Sequence, residues 1–456
     1  MKSSPARNYL CAMYVLPEKF IQRIRLQFPD DAKQLLEALE AEPRTSIHIH
    51  PIKGQTVQLQ GQIVPWFESG RILHERPSFT LDPLFHAGSY YPQESSSMFL
   101  HHVLQQLYAD HRDITCLDLC AAPGGKSILL ATFLKDKGRL ISNELIRTRN
   151  SILRENLTKW GADNVIVTCN DPNDFKDIFN YFDCVVVDAP CSGEGMFRKD
   201  TASRKEWTPE NVQLCSSRQK RILEDIAPTI KPGGYLIYST CTFAPQENEE
   251  QVAQVVATGM FEEVMITVPM EWQLLRLKHG LQFLPHKVPG EGFYMAVLRK
   301  VDTSSPDFKG KAKPVFNALN KKEKAKLDEV ADTGEHYLIQ TARNEYYASP
   351  FSAEELNQLV KHLYITMPGV QLGEYMKDEL IPSHALAMSL FKLHNTPVID
   401  VDRDTALQYL RGEALQLEAE RGRALISYSD RPLGWIKIVG NRTNNNYPKE
   451  WRIRIR

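Results

Sequence analysis

The sequence predicts an α/β protein: a mostly parallel sheet covered by helices at its centre, a small α+β module before it and a β-rich region after it. Three observations carry this. Between residues 96 and 300, short apolar runs alternate with helix-period segments, the rhythm of βαβ units. Residues 1–95 mix helix-period and alternating stretches without that rhythm. Towards the C-terminus, strand signals such as "ALISYSD" and "PLGWIKIVG" recur between turns.

Each element has its own signal. "LPEKFIQRIRLQFPDDAKQLLEALE" spaces its apolar residues as a helix does, while "SIHIHPI" and "TVQLQGQIVPWF" alternate as half-buried strands do. "PLFHAGSYYPQESSSMFLHHVLQQL" leads through a polar turn into a helix. In the central region "ITCLDLC", "RLISNE", "NVIVTCND", "FDCVVVDAP" and "YLIYSTC" read as strands. "AAPGGKSILLATFLKDKG" reads as a glycine-containing turn opening a helix, and "LIRTRNSILRENLTKWG" as a helix closed by Gly161. "RQKRILEDIAPTIKPGG" reads as a helix stopped by Pro232 and two glycines. Residues 301–330 are lysine-rich and read as a solvated linker. Residues 331–395 are expected to form a small connecting module and 396–456 a β-rich module. Its basic, aromatic end "NNNYPKEWRIRIR" points to an RNA surface.

At 456 residues the chain is too long for one core. A formal net charge of -1 gives no global attraction to a polyanion, so any nucleic-acid surface must be local. The 8 cysteines lie mostly in or beside apolar strand-like runs rather than in a disulfide framework. The N-terminus has no apolar core followed by a small-residue cleavage site. No apolar run approaches the roughly 20 residues that span a bilayer. A soluble cytoplasmic protein with free thiols is expected.

The stretch "DLCAAPGGKS", Asp118 to Ser127, follows a strand and opens a helix, the setting of a nucleotide-binding turn. Its glycine spacing is neither that of a P-loop nor G-x-G-x-x-G. Ala121, Ala122, Gly124 and Gly125 let a ligand approach the backbone closely. Glu144 ends the next strand, placed for ribose hydroxyls, and Asp171 ends the third, placed for an adenine edge. A nucleoside without a diphosphate fits this loop better than NAD. S-adenosylmethionine is such a ligand.

Cys191 and Cys241 each follow a strand of the same sheet, after "VVVDAP" and "YLIYST". Cys116, Cys169 and Cys184 read as packing thiols; Cys11 and Cys215 stand in unrelated contexts. A zinc site would need further soft ligands at short spacings, and C-x-x-C is absent. A nucleophile with a helper thiol remains. Carbon 5 of cytosine becomes reactive once a thiolate adds to carbon 6, and Asp188 is placed to hold the ring. On the residues alone either sulfur can be the attacker.

"DLCAAPGGKS", "VVVDAPCSGEGMFRKD", "YSTCTFAPQENE" and "LPHKVPGEGFYMAVLRK" resemble, in order, the motifs of the Sun-type RNA (cytosine-5)-methyltransferases. "FHAGSYYPQESSS", "GVQLGEYMKDELIPSHALA", "LGWIKIVGN" and "NNYPKEWR" resemble that family's bacterial small-subunit ribosomal RNA methyltransferase F branch. The resemblance implies a Rossmann-like class I methyltransferase core over 96–300, an RNA-binding module over 1–95 and a PUA-like RNA-binding domain over 396–456. It implies that Cys120, Ala121, Ala122, Pro123, Gly124, Gly125 and Lys126 line the S-adenosylmethionine pocket. It gives Glu144 the ribose and Asp171 the adenine, sets Arg149 beside the cofactor, and places Asp188 between cofactor and target base. Cys241 matches the nucleophile, Cys191 the thiol that helps release product, and Lys126 reaches the target nucleotide. The implied substrate is a cytosine of 16S ribosomal RNA, in the 30S subunit or its precursor, modified by a monomeric enzyme. The chain departs from many relatives at "SIHIHPIK", where an Arg-Leu-Asn-type stretch is usual. Two alternatives stand beside this reading. One is a DNA cytosine-5 methyltransferase attacking through Cys191. The other is an RNA-binding ribosome-assembly factor with an inactive methyltransferase fold.

Overall fold

Pro29 splits the first helical stretch, because proline disfavours helical backbone in the residue before it. The result is α1 (Glu18–Gln27) and α2 (Ala32–Glu40). A four-stranded antiparallel sheet follows in the order β2-β3-β1-β4: β1 (Ser46–Ile49), β2 (Gly61–Val64), β3 (Phe67–Leu73) and β4 (Tyr90–Pro92). The helices bury Phe20, Ile24, Leu35 and Leu39 against Phe197, Trp207, Phe243 and Leu284, which are residues of the central domain's loops. The N-terminal region thus comprises a helix pair seated on the central loops and a small sheet. The computed structural model describes residues 15–109, 113–135, 137–301, 308, 313–376, 379–440 and 442–455; Cys11 lies outside them.

After the short α3 (Pro83–His86) and α4 (Phe99–Tyr108), the chain enters the main sheet. Its parallel centre comprises β5 (Thr115–Asp118), β6 (Arg139–Asn143), β7 (Val165–Thr168), β8 (Phe182–Asp188) and β9 (Ile230–Thr240), ordered β9-β8-β5-β6-β7. The order reverses at β5, so a crevice opens at the carboxyl ends of β5 and β8. The intervening helices are α5 (Gly125–Leu134), α6 (Arg147–Trp160), the short α7 (Ser203–Glu206) and α8 (Pro209–Ile226). α5 is apolar nearly all round and is accordingly buried. α9 (Glu249–Ala257) and the antiparallel strands β10 (Phe261–Glu263), β11 (Leu275–Arg276), β12 (Leu281–Phe283) and β13 (Phe293–Lys300) complete one flank. The sheet as a whole is thus mixed, with parallel strands at its heart.

α8 differs from its sequence expectation at both ends. Thr208 accepts a hydrogen bond from the Asn211 N–H at 3.1 Å and Pro209 follows, a cap-and-proline start well before Arg218. Pro228 ends the helix, and the "KPGG" expected to stop it lies inside β9 instead.

The lysine-rich linker expected over 301–330 is a correction. Residues 302–307 and 309–312 lie outside the described residues. Beyond them Phe316–Ala318 is a strand, paired with Tyr337–Thr341 in a five-stranded antiparallel sheet. Lys321–Asp328 is a helix, capped by Asn320 and Glu323, that buries Leu327. The lysines form the solvent face of an amphipathic element, so charge density alone misled the reading. Ile365–Met367 adds an antiparallel strand to the free edge of β7, so the connecting region completes the main sheet.

The C-terminal end is also packed rather than presented. Tyr447 and Ile453 are buried, and the Trp451 ring lies 5.0 Å from that of His384 with the Lys159 ammonium over it at 5.3 Å. The tail's aromatics thus serve packing, Tyr447 fully and Trp451 in part, while Arg442, Asn444, Asn446, Lys449, Glu450, Arg454 and Ile455 are exposed. The departing segment "SIHIHPIK" serves packing as well. His48 and His50 stack on Trp160 at 4.7 and 4.4 Å. Lys53 donates to the carbonyls of Lys159 at 2.9 Å and Met388 at 2.6 Å, tying the small sheet, α6 and the C-terminal region together. Gly161 turns the chain here at φ 79°, and a Cβ on it would meet the Met388 carbonyl at 2.7 Å. Among the described residues no helix is long and apolar enough to cross a membrane.

Candidate active site

The turn after β5 is stitched to both neighbours of that strand. Leu119 N–H donates to the Val186 carbonyl of β8 at 3.0 Å, and Ala121 N–H to the Asn143 carbonyl of β6 at 2.8 Å. Gly124, at φ 120°, delivers the chain into α5, whose first turn holds Gly125, Lys126 and Ser127. Cys120, Ala121, Ala122 and Pro123 thus form the floor of the crevice. Burial, then the carboxylates of Asp118, Asp188 and Glu144, push the Cys120 thiol far up, so its sulfur stays protonated and its backbone matters.

Glu144 lies just past β6 with its side chain almost wholly buried. Its Oε1 accepts from the Ile146 N–H at 2.9 Å and its Oε2 lies 3.5 Å from Arg149. Arg149 also donates to the Ala122 carbonyl at 2.8 Å, so it braces the turn against Glu144. Asp171 follows β7 and caps the next helical turn through the Asn173 N–H at 3.0 Å, leaving its other oxygen 3.8 Å from Arg221. Sequence reasoning missed three neighbours. Leu145 and Ile146 are half-exposed apolar side chains beside Glu144, suited to a flat ring; an apolar pair directly after the acid was the available signal. Asn143 donates to the Leu119 and Asn170 carbonyls at 3.1 and 2.9 Å and so fixes three strand ends at once.

Asp118 opens the "DLCAAPGGKS" motif at the end of β5. It is fully buried, and burial pushes its carboxyl up to about 7. Its Oδ2 accepts from Ser127 Oγ at 2.7 Å, while its Oδ1 is buried with no hydrogen-bond partner. An orphaned carboxylate oxygen under the turn calls for a cation from the crevice.

At the end of β8, Asp188 Oδ1 accepts from Ser239 Oγ at 2.8 Å and its Oδ2 pairs with Lys126 Nζ at 2.9 Å. Burial alone would lower Lys126, but Asp188, Asp118 and Cys241 together hold it above its usual value, so it is an ammonium at neutral pH. The Cys191 and Cys241 sulfurs lie 3.2 Å apart, and Cys241 N–H points to the Cys191 sulfur at 3.4 Å. The sulfur–sulfur hydrogen bond, burial, and the charges of Cys241 and Glu247 push Cys191 well up. The structure thus links Lys126 to Asp188, Cys191 to Cys241, and Glu144 through Arg149 to the Ala122 carbonyl, whereas Asp171 follows β7 and contacts Asn173 and Arg221. Cys116 and Cys184 pair across β5 and β8 in the core, whereas Cys169 is half-exposed at the rim rather than packed. Among the described residues no cluster of histidine, cysteine and carboxylates could hold a metal ion.

Comparison with known proteins agrees with this geometry. Residues 105–299 match the family described as 16S rRNA methyltransferase RsmB/F. Residues 16–95 match the N-terminal domain of 16S rRNA methyltransferase RsmF, and 396–453 the methyltransferase RsmF PUA domain. Ribosomal RNA small subunit methyltransferase F of Shewanella loihica is 30% identical, over 96% of this chain and 96% of that protein. The protein of that name from Vibrio vulnificus is 28% identical over 95% of this chain and 97% of its own length. A solved methyltransferase homologue from Pyrococcus horikoshii is 26% identical, with a TM-score of 0.53 over 62% of this chain and 95% of that one. NSun6 from the same organism shares the fold, at 19% identity and a TM-score of 0.54 over 64% of this chain and 100% of that one. These matches, on this fold, define an S-adenosylmethionine-dependent RNA methyltransferase of the RsmB/F class. More narrowly, the chain belongs to the ribosomal RNA small subunit methyltransferase F family.

The crevice suits S-adenosylmethionine on its own observations. Glu144 would hold the ribose, Leu145 and Ile146 would offer apolar faces to the adenine, and the unpartnered Asp118 oxygen would answer the ligand's ammonium. Asp118 must be ionised to do so. Cofactor affinity is therefore expected to rise as pH climbs through about 7, read by calorimetric titration between pH 6 and 8. Asp118→Asn should bind weakly at every pH. A flat wild-type profile would remove Asp118 from this role.

Proposed function

We propose that this chain transfers the methyl group of S-adenosylmethionine to carbon 5 of a cytosine in 16S ribosomal RNA, through a bond between the Cys241 sulfur and carbon 6. The observation that carries the proposal is the pair of thiols 3.2 Å apart at adjoining strand ends, beside the Asp188–Lys126 pair. The relatives' names support small-subunit ribosomal RNA as substrate, and the matched PUA domain supports RNA binding. The enzyme would act as a monomer on the 30S subunit or its precursor, with its N-terminal part and the 396–456 domain contacting RNA.

S-adenosylmethionine supplies an electrophilic methyl group. Carbon 5 is too weak a nucleophile until the Cys241 thiolate adds to carbon 6. Asp188, aligned by Ser239 and Lys126, is placed to accept from the exocyclic amine and, when it carries a proton, to donate to the ring nitrogen. The Lys126 ammonium offsets the negative charge of the thiolate and of the adduct. Cys191, pushed up, keeps its proton at neutral pH. After transfer, the carbon 5 proton is lost to a base and the carbon 6–sulfur bond breaks. Its electron pair returns to Cys241, and Cys191 lies close enough to protonate that sulfur.

Incubation with methyl-labelled S-adenosylmethionine and 16S RNA, 30S subunits or duplex DNA tests the reading. Label should enter ribosomal RNA. Label confined to DNA overturns it, and failure to bind the cofactor would leave an RNA-binding assembly factor with an inactive fold.

A further inference from the structure

One carboxylate beneath the two thiols has no part in that chemistry. Glu247, in the motif "PQENE", is fully buried. Its Oε1 accepts from the Ser192 N–H at 2.9 Å and from Gln219 Nε2 at 3.0 Å, and its Oε2 accepts from the Ser192 hydroxyl. Gln219 Nε2 also donates to the Pro190 carbonyl at 3.0 Å. Pro190 and Ser192 are the two residues that flank Cys191. With Gln219, Glu247 therefore grips the chain on both sides of that thiol.

Asn248, the next residue, does the same for Cys241. Its Oδ1 accepts from Thr240 Oγ1 at 2.6 Å, and its Nδ2 donates to the Thr242 carbonyl at 3.0 Å. Thr240 and Thr242 flank Cys241. The two grips meet where Ser192 Oγ and Thr242 Oγ1 lie 3.0 Å apart. The Tyr238 hydroxyl anchors the dipeptide by donating to the Glu247 carbonyl at 2.6 Å.

We propose that Glu247 and Asn248 are positioning residues that set the two thiols separately: Asn248 holds Cys241 for attack, and Glu247 holds Cys191 for release. The inference rests on the covalent reading given above and adds to it the device that fixes the sulfur–sulfur distance. A glutamine could fill the same space, so the charge needs its own reason. The groups facing Glu247 are Glu194 and Cys191 from the β8 loop, Cys215 and Gln219 from α8, and Tyr238 and Cys241 from β9. Burial pushes Glu247 up to about 7, and its charge is one of the influences that keep the proton on Cys191. An ionised Glu247 thus favours the thiol form of Cys191, the form that can hydrogen-bond the departing sulfur.

The test follows adduct formation and decay in single turnovers with 16S RNA, reading the protein–RNA species on denaturing gels. Glu247→Gln should form the adduct at the wild-type rate but release it about tenfold more slowly, near 1.4 kcal/mol of barrier. Its release should also lose the wild-type dependence on pH around 7. Asn248→Ala should slow formation about tenfold and leave release unchanged. Equal slowing of both steps in both variants, or wild-type release in Glu247→Gln, overturns the proposal. If Glu247→Gln does not fold by its thermal midpoint, Gln219→Leu carries the release test, because its bonds to Glu247 and to the Pro190 carbonyl lie on the Cys191 side alone. Absence of any adduct in the wild type together with full transfer by Cys241→Ala would instead sink the covalent reading.

Discussion

Cys241→Ala is expected to abolish methyl transfer, by roughly three orders of magnitude or more, and to yield no protein–RNA adduct. Losses of that size follow removal of a covalent nucleophile, because no neighbour can make the same bond. The neighbouring Cys191, only 3.2 Å away, is no substitute: in the variant the push from Cys241 is gone, but burial and the charge of Glu247 still raise its thiol. Cys191→Ala is expected to behave oppositely. Attack by Cys241 proceeds, the methyl group is transferred, and the adduct persists because the leaving sulfur lacks its proton donor. Denaturing gels and intact mass of the trapped species separate the two variants. An adduct that accumulates in Cys241→Ala and never in Cys191→Ala would exchange the two roles.

A second large effect is expected from acid. His48, His50, His86 and His384 are buried where the small N-terminal sheet, α6 and the C-terminal region meet, and burial lowers them to about 3, 2, 4 and 3. The charges of Lys53 and Lys159 add to the effect at His50, His86 and His384. An unfolded histidine titrates near 6.5. Above that pH all four are neutral in both states, and of the junction's lowered groups only Lys53, which burial brings down to about 7, still opposes folding there. Below it the unfolded chain takes up protons that the folded chain refuses. Each histidine then costs about 1.4 kcal/mol per pH unit until its folded value is reached. Even a fraction of the four-fold sum is comparable with the marginal stability of a domain. The thermal midpoint should fall steeply between pH 6.5 and 5, and His384→Leu should flatten that fall. A midpoint unchanged down to pH 5 would refute the account of the junction.

The crevice was readable because its chemistry is local in the chain. Asp118 to Ser127, Asp188 to Cys191 and Ser239 to Cys241 each sit at a strand end, and a parallel sheet brings such ends together without further information. What the sequence hid was non-local or amphipathic. Nothing near Glu247 indicates that its partners are Ser192 and Gln219, because that pairing depends on the register of β8 with β9 and the seat of α8. The lysines of 321–326 carry the look of a linker, while one buried leucine and a capping asparagine decide the helix. Tyr447 and Trp451 carry the look of an RNA surface, yet they close the gap beside His384. The helix pair α1 and α2 was legible as helices, but its seat was not. Arg23 reaches Glu194 at 2.6 Å in the loop after Cys191, and Gln27 reaches the Phe243 carbonyl at 2.7 Å in the loop after Cys241. The first helix thus braces both thiol loops from outside while Glu247 and Asn248 brace them from within.

Bisulfite sequencing of 16S ribosomal RNA, after unmodified 16S RNA or 30S subunits are incubated with this protein and S-adenosylmethionine, bears most directly on the central claim. The expected result is a protected cytosine that is absent without cofactor and absent with Cys241→Ala. Methyl incorporation with no protected cytosine, or the same protected cytosine made by Cys241→Ala, would contradict it.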